Sequence, residues 1–343
     1  RTTVALTHSQ FFRDHEKAID VLQAGLMIDP LDGELYRILG RAFIAAEKLD
    51  DARSAFLRSL ELAPDNPNSY GGISEIEKAR DNLPAAMDWM RQASLVDPQD
   101  HELAANIALD LFLLELPEEG DYWLGRVQAL APASPVARIL EVDRAAARGE
   151  HERVIALSSQ NIADQIDDRM NAFGRSIFHY VNSMLDQGRG RDAYDFLVTV
   201  RPEITQYDQV PPDIQGLIMQ WASTALMSGF KSFEEREVAW TRFTDALDEK
   251  GFPWKADPAD SNHTWDHLMH GNVEQAVAHY LEYELNEPLA KNLNRHRKRL
   301  KALFAPVYED PRVAARLNED AERYLALRED VGVMLQRSEW TQP

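Results

Sequence analysis

Four prolines, Pro30, Pro64, Pro98 and Pro132, stand 34 residues apart, and three of them close similar phrases, LMIDP, LELAP and SLVDP. A fixed period of this length belongs to chains that repeat one supersecondary unit along an axis, so it constrains the fold more tightly than composition does. Each proline follows a stretch of apolar residues at helical spacing, where its fixed φ and missing N–H stop a helix. The proline therefore marks the end of a unit.

Inside the unit, Ala18, Ala52, Ala86 and, at the fourth place, Gly120 lie twelve residues before the prolines and are small enough for two helices to cross closely. Leu22, Phe56, Met90 and Leu124 follow four residues later and read as knobs for a neighbouring groove. In residues 33–66, Tyr36, Leu39, Gly40 and Phe43 form the stripe of a first helix. The same places hold Tyr70, Ile73, Ser74 and Glu77 in 67–100, and Ala104, Ile107, Ala108 and Leu111 in 101–134.

These residues, with a small one in mid-helix and a closing proline, resemble the tetratricopeptide repeat. The resemblance covers about residues 1–288, regular over 15–134 and degenerate beyond. Later helix pairs are expected around Gly149 and Glu150, around Gly188 to Gly190 with Ala193, Leu197 and Pro202, over 212–250 with a break near Gly229, and in GNVEQAVAHYLEYELNEP at 271–288. Roughly seven or eight helical pairs result, with no alternating strand pattern of useful length. The expected fold is all-α: a right-handed superhelical solenoid of antiparallel helix pairs over 1–288, followed by C-terminal capping helices over 289–343. Those caps should run from Leu289 to Phe304 and from Pro311 to Leu335, the second with a stripe of Val313, Leu317, Tyr324, Val331 and Leu335.

For function, the resemblance implies a non-catalytic scaffold for protein–protein interaction, with first helices lining a concave groove that receives a partner peptide or protein. The first helices would turn Arg37, Arg41, Glu75, Lys78, Leu109 and Phe112 into it. The tail phrase YEDPRVAARLNEDAERYLALREDVGVMLQRSEW is similar to the closing segment of tetratricopeptide regions attached to bacterial adenylate cyclases and winged-helix transcriptional regulators. That similarity implies an alternative, the sensory or partner-binding module of a bacterial membrane-anchored signalling protein. Any export signal or membrane anchor is then expected upstream of Arg1, and the compartment, cytoplasmic or periplasmic, stays open. A homodimer through the terminal helix is a further option.

A formal charge of -20 repels phosphate backbones and argues against general nucleic-acid binding. Residues 289–343 depart from this, with 11 basic and 8 acidic side chains. Their basic patch, Arg295, Arg297, Lys298, Arg299 and Lys301, reads either as a surface for an acidic partner, anionic lipid or RNA, or as one charged helix face beside an acidic neighbour. No apolar run approaches the ~20 residues that span a bilayer.

With no cysteine, thiolate catalysis and thiolate metal sites are excluded. His263, His267 and His270, spaced by four and three, would set three imidazoles on one helix face, as a zinc site needs. No glutamate stands beside the first of them, so packed or solvated histidines are the expected reading, and no metal or cofactor is expected. Gly188, Gly190 and Ala193 imitate a dinucleotide-binding turn, but a helical stretch precedes them where that turn needs a strand.

Overall fold

A computed structural model describes residues 15–166, 172–202, 214–249, 251, 262–291, 293, 300–337 and 340. Among them are seventeen α-helices and no strand. They are α1 (His15–Leu26), α2 (Gly33–Ala45), α3 (Leu49–Leu62), α4 (Pro67–Ala79), α5 (Leu83–Val96), α6 (His101–Leu113), α7 (Pro117–Leu130), α8 (Pro135–Ala147) and α9 (His151–Ala163). Then come α10 (Ala172–Asp186), α11 (Gly190–Val200), α12 (Ile214–Met227), α13 (Phe233–Glu249), α14 (Asn262–Met269), α15 (Val273–His279), α16 (Lys301–Tyr308) and α17 (Pro311–Leu335). No described helix is long and apolar enough to cross a membrane.

First helices start at Gly33, Pro67, His101 and Pro135, and second helices at Leu49, Leu83, Pro117 and His151. The 34-residue register therefore runs one pair beyond the last regular proline. What holds it is the turn inside each pair. Glu47, Asp81, Glu115 and Gly149, again 34 apart, occupy the left-handed region with φ of 59°, 58°, 56° and 68°. The next residue donates its N–H back five positions, Lys48 to Phe43, Asn82 to Glu77, Leu116 to Leu111 and Glu150 to Ala145, each at 2.9 Å. This is the Schellman closure, which satisfies carbonyls that a helix end leaves open and reverses the chain. It recurs at Gly188, where Arg189 N–H reaches Met184, and at Gly271, where Asn272 N–H reaches His267, both at 2.8 Å. The dinucleotide-like glycines thus turn one helix into the next.

Helix starts are equally local. Asp32 Oδ1 accepts from Leu35 N–H at 3.0 Å, and Ser134 Oγ from Ala137 N–H at 3.1 Å. Pro67, Pro117 and Pro135 sit at first helical positions, where a missing N–H costs nothing.

The chain forms two compact units. The first comprises Arg1–Ile107 with Ala326–Pro343. At its centre the fully buried Phe56 ring of α3 lies between Gly40 of α2 and Gly72 of α4. A Cβ on Gly72 would come within 2.3 Å of that ring, and one on Gly40 within 2.8 Å. Ala18, Ala52 and Ala86 are all fully buried, as the small-residue pattern predicts. The knob at the third place differs: Met87 is buried and Met90 only half-buried, because Met87 is on the buried face of α5 with Leu83 and Ala86. Glu77, on the packing stripe of α4, is buried and satisfied by Arg53 Nε at 3.2 Å and Asn82 Nδ2 at 3.1 Å.

The second unit comprises Ala108–Leu325. Its main core runs from Ile162 and Phe173 through Trp240, Phe243 and Trp265 to Val313 and Leu317. Phe112, expected on the groove surface, is 2% exposed, because its ring packs where a Cβ on Gly120 would stand 2.4 Å away. A continuous helix from Leu289 to Phe304 does not form: Leu289–Lys291 is a 3-10 turn, and Leu300, with φ of 48°, starts α16 from a conformation that no helix interior contains. The α17 bounds match expectation, and Val313, Leu317, Tyr324 and Val331 are buried, with Met334 in place of the half-buried Leu335.

Three substitutions at two positions test this packing by urea unfolding. Gly72→Ala should lower stability by about 1–3 kcal/mol through overpacking against Phe56. Glu47→Gly should raise it by roughly 0.5 kcal/mol, since relief of left-handed strain exceeds the extra unfolded-chain entropy, whereas Glu47→Val should lower it.

Candidate functional site

The register places one residue of each early first helix at the same point, Arg41, Glu75, Leu109 and Asp143. In the first unit, Arg41 and Glu75 form an ion pair between α2 and α4, both about half exposed. Such a pair in water contributes about 0–1 kcal/mol and leaves both groups open to exchange partners. Arg37 is folded onto Glu34 of its own helix, Nε to Oε2 at 2.8 Å, and is half-buried. That hydrogen bond holds the Glu34 carboxyl below its ordinary range, against the opposing effect of burial. Lys78 and, in the second unit, Leu109 are also half-buried. Of the six groove residues expected from sequence, Phe112 is the one that belongs to the core.

In the second unit the equivalent position is built differently. The Asp143 carboxylate of α8 is 4% exposed and meets two side chains of α10, one turn apart. Arg175 Nη2 donates to its Oδ2, and His179 Nε2 lies 2.9 Å from Oδ1. Burial by itself would raise the Asp143 carboxyl, but the Arg175 charge and the His179 hydrogen bond outweigh it and hold the group below the usual aspartate range. Beside this cluster, Arg138 of α8 donates through Nε to Asn161 Oδ1 at 2.9 Å and through Nη2 to Asp164 Oδ2 at 2.7 Å, while Asn161 Nδ2 donates to Ser176 Oγ at 3.1 Å. Helices α8, α9 and α10 are thus joined by a polar network and not only by aliphatic packing.

Next to His179 on α10, Phe178 begins a series of rings. Its plane lies 18° from that of Trp221 on α12, with centroids 6.5 Å apart. Trp221 meets Trp265 of α14 edge-on at 4.7 Å, and Trp265 meets Phe304 of α16 at 5.2 Å. Phe178, His179 and Trp221 are half-buried, whereas Trp265 and Phe304 are in the core, so the series leads from the surface inward. Asn182, one turn past Phe178, accepts the Leu300 N–H at 3.1 Å. Nothing in the sequence pattern singles out Arg175, Phe178 or His179, since α8 to α10 have no closing proline between them to carry the register forward.

The three histidines, two on α14 and His270 just past its end, form no metal-holding group. His270 Nδ1 donates to the Asp266 carbonyl oxygen at 2.9 Å, while His263 faces His279 of α15 instead, with ring centroids 5.2 Å apart. Asp266 itself accepts from Trp240 Nε1 at 2.9 Å. Among the described residues no group of three or more histidine, cysteine or acidic side chains is placed to hold a metal ion. In the basic patch, Arg295, Arg297, Lys298 and Arg299 lie outside the described residues, as does the side chain of Lys301.

No protein-family model and no curated protein matches the chain. Among solved structures it is similar to the human IFIT1 dimer with m7Gppp-AAAA, at 16% identity over 95% of this chain and 80% of that one, with a TM-score of 0.39. A monomeric mutant of IFIT1 with Gppp-AAAA gives 15% identity, 94% and 80% coverage and a TM-score of 0.41. The TPR domain of P58(IPK) gives 13%, 91%, 99% and 0.31. At these values no binding property passes from those proteins to this chain.

Asp143→Asn should destabilise the protein at neutral pH by about 1–3 kcal/mol, the scale of a charge-assisted hydrogen bond. Because the folded carboxyl ionises at lower pH than the unfolded one, near 3.9, this contribution is complete above that value and is lost as pH falls through the folded pKa. Unfolding midpoints of wild type and variant should therefore converge on acidification below about pH 4.

Proposed function

We propose that this chain is a non-catalytic scaffold that holds a segment of a partner protein along the faces of its first helices. The reading is carried by the second unit, where α8, α10 and α12 present the Asp143, Arg175 and His179 cluster beside the half-buried Phe178 and Trp221 rings. A face that served packing alone would gain from aliphatic side chains there, since a buried carboxylate needs two partners to offset its desolvation. Half-buried aromatic rings beside a charged cluster are the composition of binding hot spots.

In the first unit Arg41, Glu75 and Lys78 supply a first-helix face of its own, and in the second unit Leu109 is the sequence equivalent of Glu75. The array over 1–288 is the binding part in this reading, and 289–343 the cap. A net charge of -20 favours a partner with basic groups and disfavours nucleic acid.

The test is affinity purification from native cells with wild type, with a Phe178→Ala, Trp221→Ala variant, and with Arg242→Glu, an exposed position on α13, as control. A partner retained by wild type and by the control, then bound by purified protein at least ten times more weakly in the folded double variant, is the expected result. Equal capture by all three would refute this face as the working surface.

A further inference from the structure

Helix α13 carries a stripe of exposed residues that is its own complement. Glu234, Val238, Arg242 and Asp245 are exposed and follow one another at intervals of four, four and three, so they share one face of the helix. Lys231, just before the helix, extends the line by about a turn. Val238 is 47% exposed, and a cleft of about 400 Å³ opens beside it, lined by residues of the stripe together with Tyr194 of α11 and Met227 of α12. Among the described residues the side chains of Glu234, Arg242 and Asp245 have no hydrogen bond or ion pair. Lys231 has one, to Glu235 at 3.1 Å, with both side chains open to water.

Read outward from Val238, the charges are opposite in sign at equal distances. Glu234 stands four residues before it and Arg242 four after, while Lys231 stands seven before and Asp245 seven after. A two-fold axis through Val238 therefore sets α13 antiparallel to the α13 of a second copy, with Glu234 of each facing Arg242 of the other and Lys231 facing Asp245. At a rise of about 1.5 Å per residue, Glu234 and Arg242 are about 12 Å apart along the axis in both copies, so the two pairs meet together when the helices lie about 8–10 Å apart. Glu235 then faces the uncharged Thr241, and no like charges are opposed. A parallel arrangement would set Glu234 on Glu234 and Arg242 on Arg242, which like-charge repulsion disfavours.

We propose that α13 is the contact of a homodimer, with Val238 of the two copies meeting at the two-fold axis and Glu234 and Arg242 pairing across it. One helix face is a small interface and its ion pairs stay near water, so the dimer depends on concentration and on salt. Helix α13 is the second helix of its pair, whereas the partner-binding face is built from first helices, so dimer formation and partner capture are independent.

Sedimentation velocity of the purified full chain, from about 1 μM to about 1 mM and at low and high salt, tests the contact. The expected result is a monomer–dimer equilibrium that moves toward monomer as salt rises. Glu234→Arg and Arg242→Glu should each weaken association more than about tenfold, since each sets like charges across the axis. The Glu234→Arg, Arg242→Glu double variant should regain wild-type association to within about threefold, because exchange of both signs restores the pairs. Both positions are exposed, so none of these variants disturbs the core. A wild type that stays monomeric over the whole range, a dimer unaffected by either single change, or a double variant that fails to recover overturns the proposal.

Discussion

The Schellman turn between the two helices of each pair is the interaction on which the rest of the structure depends. It needs one residue in the left-handed region and one N–H reaching back five positions, and it closes the first helix while reversing the chain. Because that geometry is the same at Glu47, Asp81, Glu115 and Gly149, each second helix leaves its own partner in the same direction, and the 34-residue register recurs along the chain. Three of the four positions accept the strain of a non-glycine side chain there, so the turn is maintained by closure and packing and not by a residue suited to the conformation.

Once the turns impose that register, size at the crossings decides how closely helices approach. Phe56 fills the space left by Gly40 and Gly72, and Phe112 fills that beside Gly120. In each unit a large ring from one helix is matched by an absent side chain on another, so volume is conserved across the contact while its donor changes. That exchange explains why Phe112 belongs to the core although its place in the first helix points to the groove.

The polar positions follow from the same register. At one recurring point the chain carries Arg41, Glu75, Leu109 and Asp143, and burial determines what each can do. Arg41 and Glu75 stay hydrated and exchangeable, while Asp143 is enclosed and must keep Arg175 and His179 as partners. An exposed, exchangeable ion pair and an enclosed cluster therefore arise from one sequence position in different surroundings.

The proline period, the small residues and the helical stripes by themselves determined the all-α repeat, the helix pairs and most of the buried positions, because a stop signal and a packing stripe act within one or two turns of chain. They did not show that the register survives past Pro132, since the fourth pair keeps its turn and loses its closing proline. Only the tertiary structure decided which charged groups meet. Asp143 is 32 residues from Arg175 and 36 from His179, and His263 faces His279 and not the histidines of its own helix. Local spacing indicates which residues share a helix face, but packing between helices chooses the partner that the face receives.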